Sequence, residues 1–162
     1  MEIERTAAGD VLITGITPLL ADTMLRIPDW LECDDPRVRD RLLPRAYEAD
    51  DEEAQWRRLG VPDLEHLFAS RVELIRGDLE RMTADQDGAF ALELRAGHLS
   101  AWLSGLNGAR LALYALHEFS DEDLEREPSL LAVAEAERER ELALLRIHVM
   151  AFLQESLLED DA

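Results

Sequence analysis

Hydrophobic residues along most of the chain recur every three or four positions, which is the spacing of one face of an α-helix. The clearest case follows Asp63, where the apolar positions are Leu64, Leu67, Phe68, Val72, Ile75, Leu79 and Met82. A second helical pattern runs from about Ala96 to Phe119, and a third begins at Pro128 and continues to about Leu158. The pattern therefore predicts a mainly α fold, a bundle of about five to six helices.

The amino-terminal residues follow a different pattern. Residues 3–6 and 11–14 favour strands and flank the turn Ala8-Gly9-Asp10, which predicts a small β-hairpin. Residues 90–94, with the sequence FALEL, alternate in a way that is compatible with a third short strand joining this hairpin. Because a hairpin alone is marginally stable, we expect it to pack on the helices.

Proline and glycine divide the chain between these segments. Thr17 is placed to cap a helix that starts at Pro18, and Pro28 limits the length of that helix. Residues 36–44 and 50–60 predict two further short helices. We predict one domain over residues 1–162, with a hairpin in 1–16 packed on a helical body of 17–158 and a disordered tail at 159–162.

The last predicted helix is apolar on nearly every side from Leu142 to Leu153, apart from Arg146 and His148. A helix of this kind lies at the centre of its domain or is buried against a partner. One hypothesis is therefore a homodimer formed through residues 142–153. The run is too short to span a membrane, which takes about 20 apolar residues.

Charge narrows the set of partners. The chain has 17 basic and 36 acidic residues, giving a net charge of −19, which repels nucleic acid. Two interpretations stay open: the acidity only keeps the surface soluble, or it attracts a basic protein. Every basic residue except histidine is an arginine, which excludes lysine-dependent chemistry such as Schiff-base formation.

Candidate catalytic and metal-binding patterns are missing from the sequence. Cys33 is the only cysteine, and the four histidines are isolated from one another, so we expect neither a zinc site nor another metal site. No nucleophile motif or phosphate-binding glycine loop occurs, so we expect no enzymatic activity, catalytic residue or cofactor. The charged amino terminus does not resemble a signal peptide, and we expect a cytoplasmic protein.

The most informative segment is the predicted helix around Trp102. Asn107, the only asparagine in the chain, shares a helix side with Arg110 among leucines, while Gly105 and Gly108 are expected to let a second backbone approach. We interpret the Asn107 and Arg110 pair as a polar clasp between helices, with a ligand site as the alternative. A turn at residues 107–108 that splits the helix is a further alternative.

A second polar segment follows Pro44. Its predicted helix starts with acidic residues and ends with the pair Arg57 and Arg58. This charge order is typical of a capped helix whose arginines are solvated. A more specific hypothesis is that Asp50 or Asp51 pairs with Arg110, which would bring both segments together in one site. The candidate binding residues are then Asn107, Arg110, Trp102, Tyr47, Asp50, Asp51 and Arg57.

These two segments together resemble a known family. The blocks RLLPRAY at 41–47, DD at 50–51 and WRRL at 56–59, followed by WL at 102–103, LN at 106–107 and RL at 110–111, are similar to domain of unknown function 2017, an uncharacterised and largely actinobacterial bacterial family. Genes of that family commonly lie beside the gene for the adaptor of the Clp protease. The resemblance therefore implies a role near regulated proteolysis, and it carries over no catalytic residue.

Three functions from different classes follow. The leading hypothesis is a non-enzymatic protein-interaction or regulatory module, because of the acidic surface and the apolar run at 142–153. The second is a small-molecule or metal-binding domain with a polar site around Arg110. The third is an acidic mimic of nucleic acid that binds a basic protein, whose binding would be sensitive to salt.

Overall fold

The described chain is mainly helical, as predicted. A computed structural model describes residues 1–84, 88–130 and 134–159, so residues 160–162 of the predicted tail lie outside the described residues. The strands are β1 (Glu2–Arg5), β2 (Val11–Ile16), β3 (Thr83–Ala84) and β4 (Phe90–Leu94). The helices are α1 (Pro18–Leu25), α2 (Ile27–Leu31), α3 (Pro36–Leu42), α4 (Asp50–Leu59), α5 (Val61–Leu79), α6 (Leu99–Leu116), α7 (Asp121–Glu125) and α8 (Glu135–Leu158).

The predicted hairpin is part of a small antiparallel sheet with the strand order β1-β2-β4-β3. The third strand predicted at 90–94 is confirmed, and it pairs with β2 through Val11 opposite Leu94 and Ile13 opposite Leu92. All four of these side chains are buried, so one face of the sheet covers the helices. The register shifts between Ile13 and Ile16, where Gly15 has a φ of +63° that favours glycine.

Local signals set most helix starts. The Thr17 hydroxyl accepts a hydrogen bond from the Leu20 N–H at 3.3 Å, and Pro18 is the first residue of α1. In the same way Ser120 and Asp123 form a capping box at the start of α7. The segment around residues 107–108 is helical throughout, so the alternative of a turn there is wrong.

The last helix begins at Glu135 and not at Pro128. Glu141 explains the difference, because its carboxylate accepts two hydrogen bonds from Arg126, at 2.9 and 2.5 Å, and one from the Ser129 N–H at 2.9 Å. The residues around Pro128 are thereby held along the side of α8 instead of forming its first turn. A long-range contact has overridden the local signal for a helix start.

Helix α8 contributes many side chains to the core of the domain. It packs mainly on α6 and also on α1, and Leu144, Met150 and Leu153 are fully buried. Of its large apolar side chains between 142 and 153, Phe152 is the exposed one, at 58%. Packing within the chain therefore accounts for most of the apolar pattern, and a homodimer through this helix stays a prediction.

The two polar interruptions of α8 bind other elements of the same chain. Arg146 donates to the Asp22 carboxylate at 2.5 Å, and its guanidinium carbon lies 5.6 Å from the centre of the Trp30 ring. His148 Nε2 donates to the Leu124 carbonyl at 3.0 Å. These contacts join α8 to α1, α2 and α7. No helix in the described ranges is long and apolar enough to cross a membrane.

The Glu141 contacts lead to a prediction about pH. Arg126, with help from the Ser129 N–H, lowers the pKa of Glu141 from its ordinary 4.5 to about 2. Because the folded state has the lower pKa, this contribution to stability is complete above pH 4.5 and is lost as the pH falls toward about 2. We expect Glu141→Gln to lower the free energy of unfolding by about 2 kcal/mol at pH 7.

Urea denaturation at several pH values would check this expectation. The difference between wild type and Glu141→Gln should be constant above pH 4.5 and shrink below it. Glu137→Gln, at an exposed position of the same helix, is the matched control and should follow the wild type at every pH. A difference that grows on acidification would contradict the assigned role of Glu141.

Candidate functional site

Helix α4 and the loop before it carry the second polar segment of the sequence. The first turn of α4 holds four acidic residues, Asp50 to Glu53, and its last turn holds Arg57 and Arg58. This charge order complements the helix dipole and supports a short helix in this position. Among the residues of α4, the side chain that is buried belongs to Glu53, which is an unusual choice for the inward side of a helix.

Glu53 binds the preceding loop to α4. One carboxylate oxygen accepts from the backbone N–H groups of Ala46 and Tyr47 at 2.9 and 3.1 Å, and the other accepts from Arg57 Nε at 2.6 Å. Arg57 also donates to the Leu43 carbonyl at 3.1 Å. The Arg57 hydrogen bond, with the two backbone donors, lowers the pKa of Glu53 below its ordinary 4.5. A charged hydrogen-bond network therefore holds α4 in place.

Arg45 closes the same loop from the other side. Its guanidinium donates to the carbonyl oxygens of Tyr47 and Glu48, at 2.7 and 2.5 Å, and to the Asp50 carboxylate at 2.6 Å. The Asp50 side chain is almost fully solvated, so this ion pair adds little stability by itself. Its effect is to fix the path of the loop that carries Tyr47.

The outer side of this segment presents an exposed apolar surface, the α4 patch, formed by Tyr47, Trp56 and Leu59. The Tyr47 and Trp56 rings meet edge to face, with centroids 6.3 Å apart. Tyr47 is 45% exposed and Leu59 is 58% exposed, while Trp56 is half-buried. Trp56 lies against the backbone of Gly60, where any Cβ would overlap the indole ring. The α4 patch is shaped by hydrogen bonds behind it and by one glycine beside it.

The structure gives the two predicted segments separate partners. Arg110 donates to Gln154 Oε1 on α8 at 2.9 Å, whereas Asp50 binds Arg45 and Asp51 is exposed in the first turn of α4. In the described part of the chain, neither acidic residue is hydrogen-bonded to Arg110. Asn107 is exposed on α6, so Arg110 joins two helices without help from Asn107.

The two glycines of α6 have a role that differs from the expected one. A Cβ at Gly105 would overlap the end of the Ile75 side chain, and a Cβ at Gly108 would lie 2.6 Å from Leu31 Cδ2. The nearest approaching atoms are therefore side-chain methyl groups of α5 and α2, not a second backbone. The glycines let these branched side chains lie flat against α6.

Trp102, one of the predicted binding residues, belongs to a buried polar cluster around Asp78. The Asp78 side chain is 0% exposed and accepts from Trp102 Nε1 at 2.8 Å, from His98 Nδ1 at 2.9 Å and from Arg81. Asp78 lies at position i+3 from Ile75, on the apolar side of α5. That position was the signal in the sequence that an acidic residue would be buried here.

Metal-binding side chains do not gather in the part of the chain that the structure describes. No group of three or more histidine, cysteine, aspartate or glutamate side chains occurs there that could hold a metal ion. Cys33 is a free thiol, half-buried near the end of α2. The expectation that the protein uses no metal or cofactor stays a prediction.

Comparison with known proteins gave one match. The family model described as domain of unknown function 2017 matches residues 7–160, which is nearly the whole chain. Searches of the curated proteins and of the solved structures gave no match. The match includes α4, α6 and the buried Asp78 cluster, so these features all lie within the family's extent.

Proposed function

We propose that this chain, which belongs to the family of domain of unknown function 2017, is a non-enzymatic protein-interaction module that binds its partner through the α4 patch. One observation carries the proposal. In helix α4 the buried side chain is that of Glu53, whereas Leu59 is 58% exposed and Trp56 is only half-buried. A helix of a globular domain normally does the opposite and buries its apolar side.

The residue types in the patch support binding to a protein. Tryptophan, tyrosine and arginine are the residues that contribute most to binding energy at protein interfaces. The patch offers Trp56 and Tyr47 with their rings edge to face, and the neighbouring Arg57 side chain is held by Glu53. A partner would therefore meet a surface that is ordered before binding, which reduces the entropic cost of association.

Charge indicates what the partner looks like. The net charge of −19 and the acidic first turn of α4 beside the patch favour a segment with basic residues around an apolar anchor. The proposed setting is the cytoplasm, where a free thiol such as Cys33 stays reduced. The first purified partner to test is the adaptor of the Clp protease, because of the gene association that the family resemblance implies.

Trp56→Ala should weaken binding to the partner by about 30-fold, the effect of removing a central interface tryptophan. Proteins retained from native lysate by immobilised wild type and by Trp56→Ala would be compared by quantitative mass spectrometry. A retained protein, or the purified Clp adaptor, would then be titrated against both forms. Circular dichroism would verify that the variant is folded.

Leu25→Ala removes another exposed large apolar side chain, at the end of α1 and outside residues 142–153, and is the matched control. It should retain the same proteins as the wild type. Equal retention by wild type and Trp56→Ala, with no protein depleted in the variant, would refute the role of the α4 patch. Retention that survives Trp56→Ala but is lost in high salt would instead support the acidic mimic of nucleic acid.

A further inference from the structure

A cavity of about 240 Å³ lies between α2, α3, α5 and α6. Its apolar wall includes Leu31, Leu42 and Phe68, one from each of three helices. Because exposed Asn107 is among its lining residues, the cavity reaches the surface there. It shares no lining residue with the α4 patch, so it is a separate feature of the molecule.

Three polar side chains line this cavity without a partner in the protein. They are Arg71 of α5 and Ser104 and Asn107 of α6. Across the described residues none of them makes a side-chain hydrogen bond or an ion pair, whereas most arginines of this acidic chain are paired with carboxylates. A guanidinium, a hydroxyl and an amide thus converge on one apolar space with their hydrogen-bonding capacity free.

Two of the five residues that α6 contributes to the wall are glycines, Gly105 and Gly108. At Gly108 a Cβ would lie 2.6 Å from Leu31 Cδ2 and 3.8 Å from Leu42 Cδ2, so the glycine keeps room for these side chains beside the helix. The cavity is therefore bounded by packed side chains of the core and not by a loose loop. A largely apolar cavity with a few free polar groups is the usual form of a small-molecule site.

We propose that this cavity binds a small monocarboxylic acid with an apolar tail. The planar guanidinium of Arg71 matches a carboxylate, and Ser104 and Asn107 supply further donors. Arg71 is the single basic residue among those that line the cavity, and the protein as a whole has a net charge of −19. This balance favours a ligand with one negative charge over a doubly charged phosphate. The volume lies below the roughly 300 Å³ lower limit of drug-sized sites, which indicates a short tail.

The neighbouring cavity determines how the acid would lie. A second space of about 280 Å³ shares Leu31, Leu42, Phe68 and Val72 with the first, and its charged lining residues are Glu32, Asp34, Arg39 and Glu65. Arg39, the cation of this second space, is already paired with the Glu65 carboxylate at 2.6 Å, so it is not free to bind an anionic head group. The carboxylate therefore lies at the Arg71 end, with the tail directed along the leucines. The sequence led us to pair Asn107 with Arg110 of the same helix. In the structure Asn107 lines this cavity together with Arg71, which belongs to α5.

Octanoate is the probe for this proposal. Butanoate has the same carboxylate with a shorter tail, and octanol has the same tail without the carboxylate. Titrations followed by methyl NMR should show octanoate binding, with shifts at the Leu31 and Leu42 methyl groups. Arg71→Met keeps most of the side-chain length and should weaken octanoate binding by about tenfold. Octanol should bind the wild type about as weakly as octanoate binds Arg71→Met.

Arg95→Met, at an exposed arginine outside the cavity, is the matched control and should bind octanoate like the wild type. Ser104→Leu places a larger apolar group in the cavity and should block binding in a protein that stays folded. Absence of any shift at millimolar octanoate would overturn the proposal. So would equal weakening by Arg71→Met and Arg95→Met, or shifts confined to residues outside the cavity.

Discussion

Replacing Asp78 with alanine is expected to lower the free energy of unfolding by about 3 kcal/mol. The substitution leaves the buried Trp102 N–H without an acceptor, and it removes the charged hydrogen bond from His98. A buried donor that loses its partner costs about 1 to 3 kcal/mol, and a hydrogen bond to a charged group adds to this loss. For a chain of 162 residues, the melting temperature should fall by roughly 6 to 12 °C.

Urea denaturation followed by circular dichroism would measure the change. Asp78→Asn keeps the shape and one acceptor oxygen, so it should cost less than Asp78→Ala. Arg81→Ala removes the half-exposed partner and should cost less than about 1 kcal/mol. Glu80→Ala changes an exposed neighbour of Asp78 and should stay within about 0.5 kcal/mol of wild type. Equal losses for Asp78→Ala and Glu80→Ala would refute the role given to the buried carboxylate.

A second large effect is expected from Leu144→Ala, which should cost about 3 kcal/mol. Leu144 is fully buried in α8, the helix that packs mainly on α6. Removing a leucine from such a core loses its transfer free energy and leaves a cavity, at a cost of about 2.7 to 5 kcal/mol in comparable cases. The same denaturation measurement applies, with circular dichroism as the signal.

Phe152→Ala is the control on the same helix. Its side chain is 58% exposed, so the monomer should lose less than about 0.5 kcal/mol of unfolding free energy.

Sedimentation of the wild type and the Phe152→Ala variant also tests the homodimer hypothesis, because Phe152 is the exposed large apolar side chain between 142 and 153. A wild type that sediments only as a monomer at micromolar concentration would contradict the homodimer. A Leu144→Ala variant as stable as Phe152→Ala would contradict the burial of Leu144 in the core.

Helices and strands with a strong local signal were predictable from the sequence. The periodic stretch after Asp63 is α5, Pro18 starts α1, and the alternating residues of β4 join the hairpin. In each case propensity, hydrophobic period and tertiary contacts favour the same structure. The start of α8 was not predictable, because Arg126 and Glu141 are distant in sequence and their pairing decides the path around Pro128.

Side-chain partners were harder to predict than elements. The expected meeting of Asp50 or Asp51 with Arg110 required knowledge of how α4 lies relative to α6, which hydrophobic spacing does not contain. Arg71 could not be associated with Asn107 for the same reason, since the two come from different helices. The composition of each segment indicated where polar contacts would occur. Which residues pair with each other depends on the tertiary packing.

The contact between Trp56 and Gly60 also limits which substitutions this surface accepts. A Cβ at position 60 would overlap the indole ring, so the ring has to move if any other residue stands there. The glycine therefore helps to set the shape of the surface, although it contributes no side chain to it.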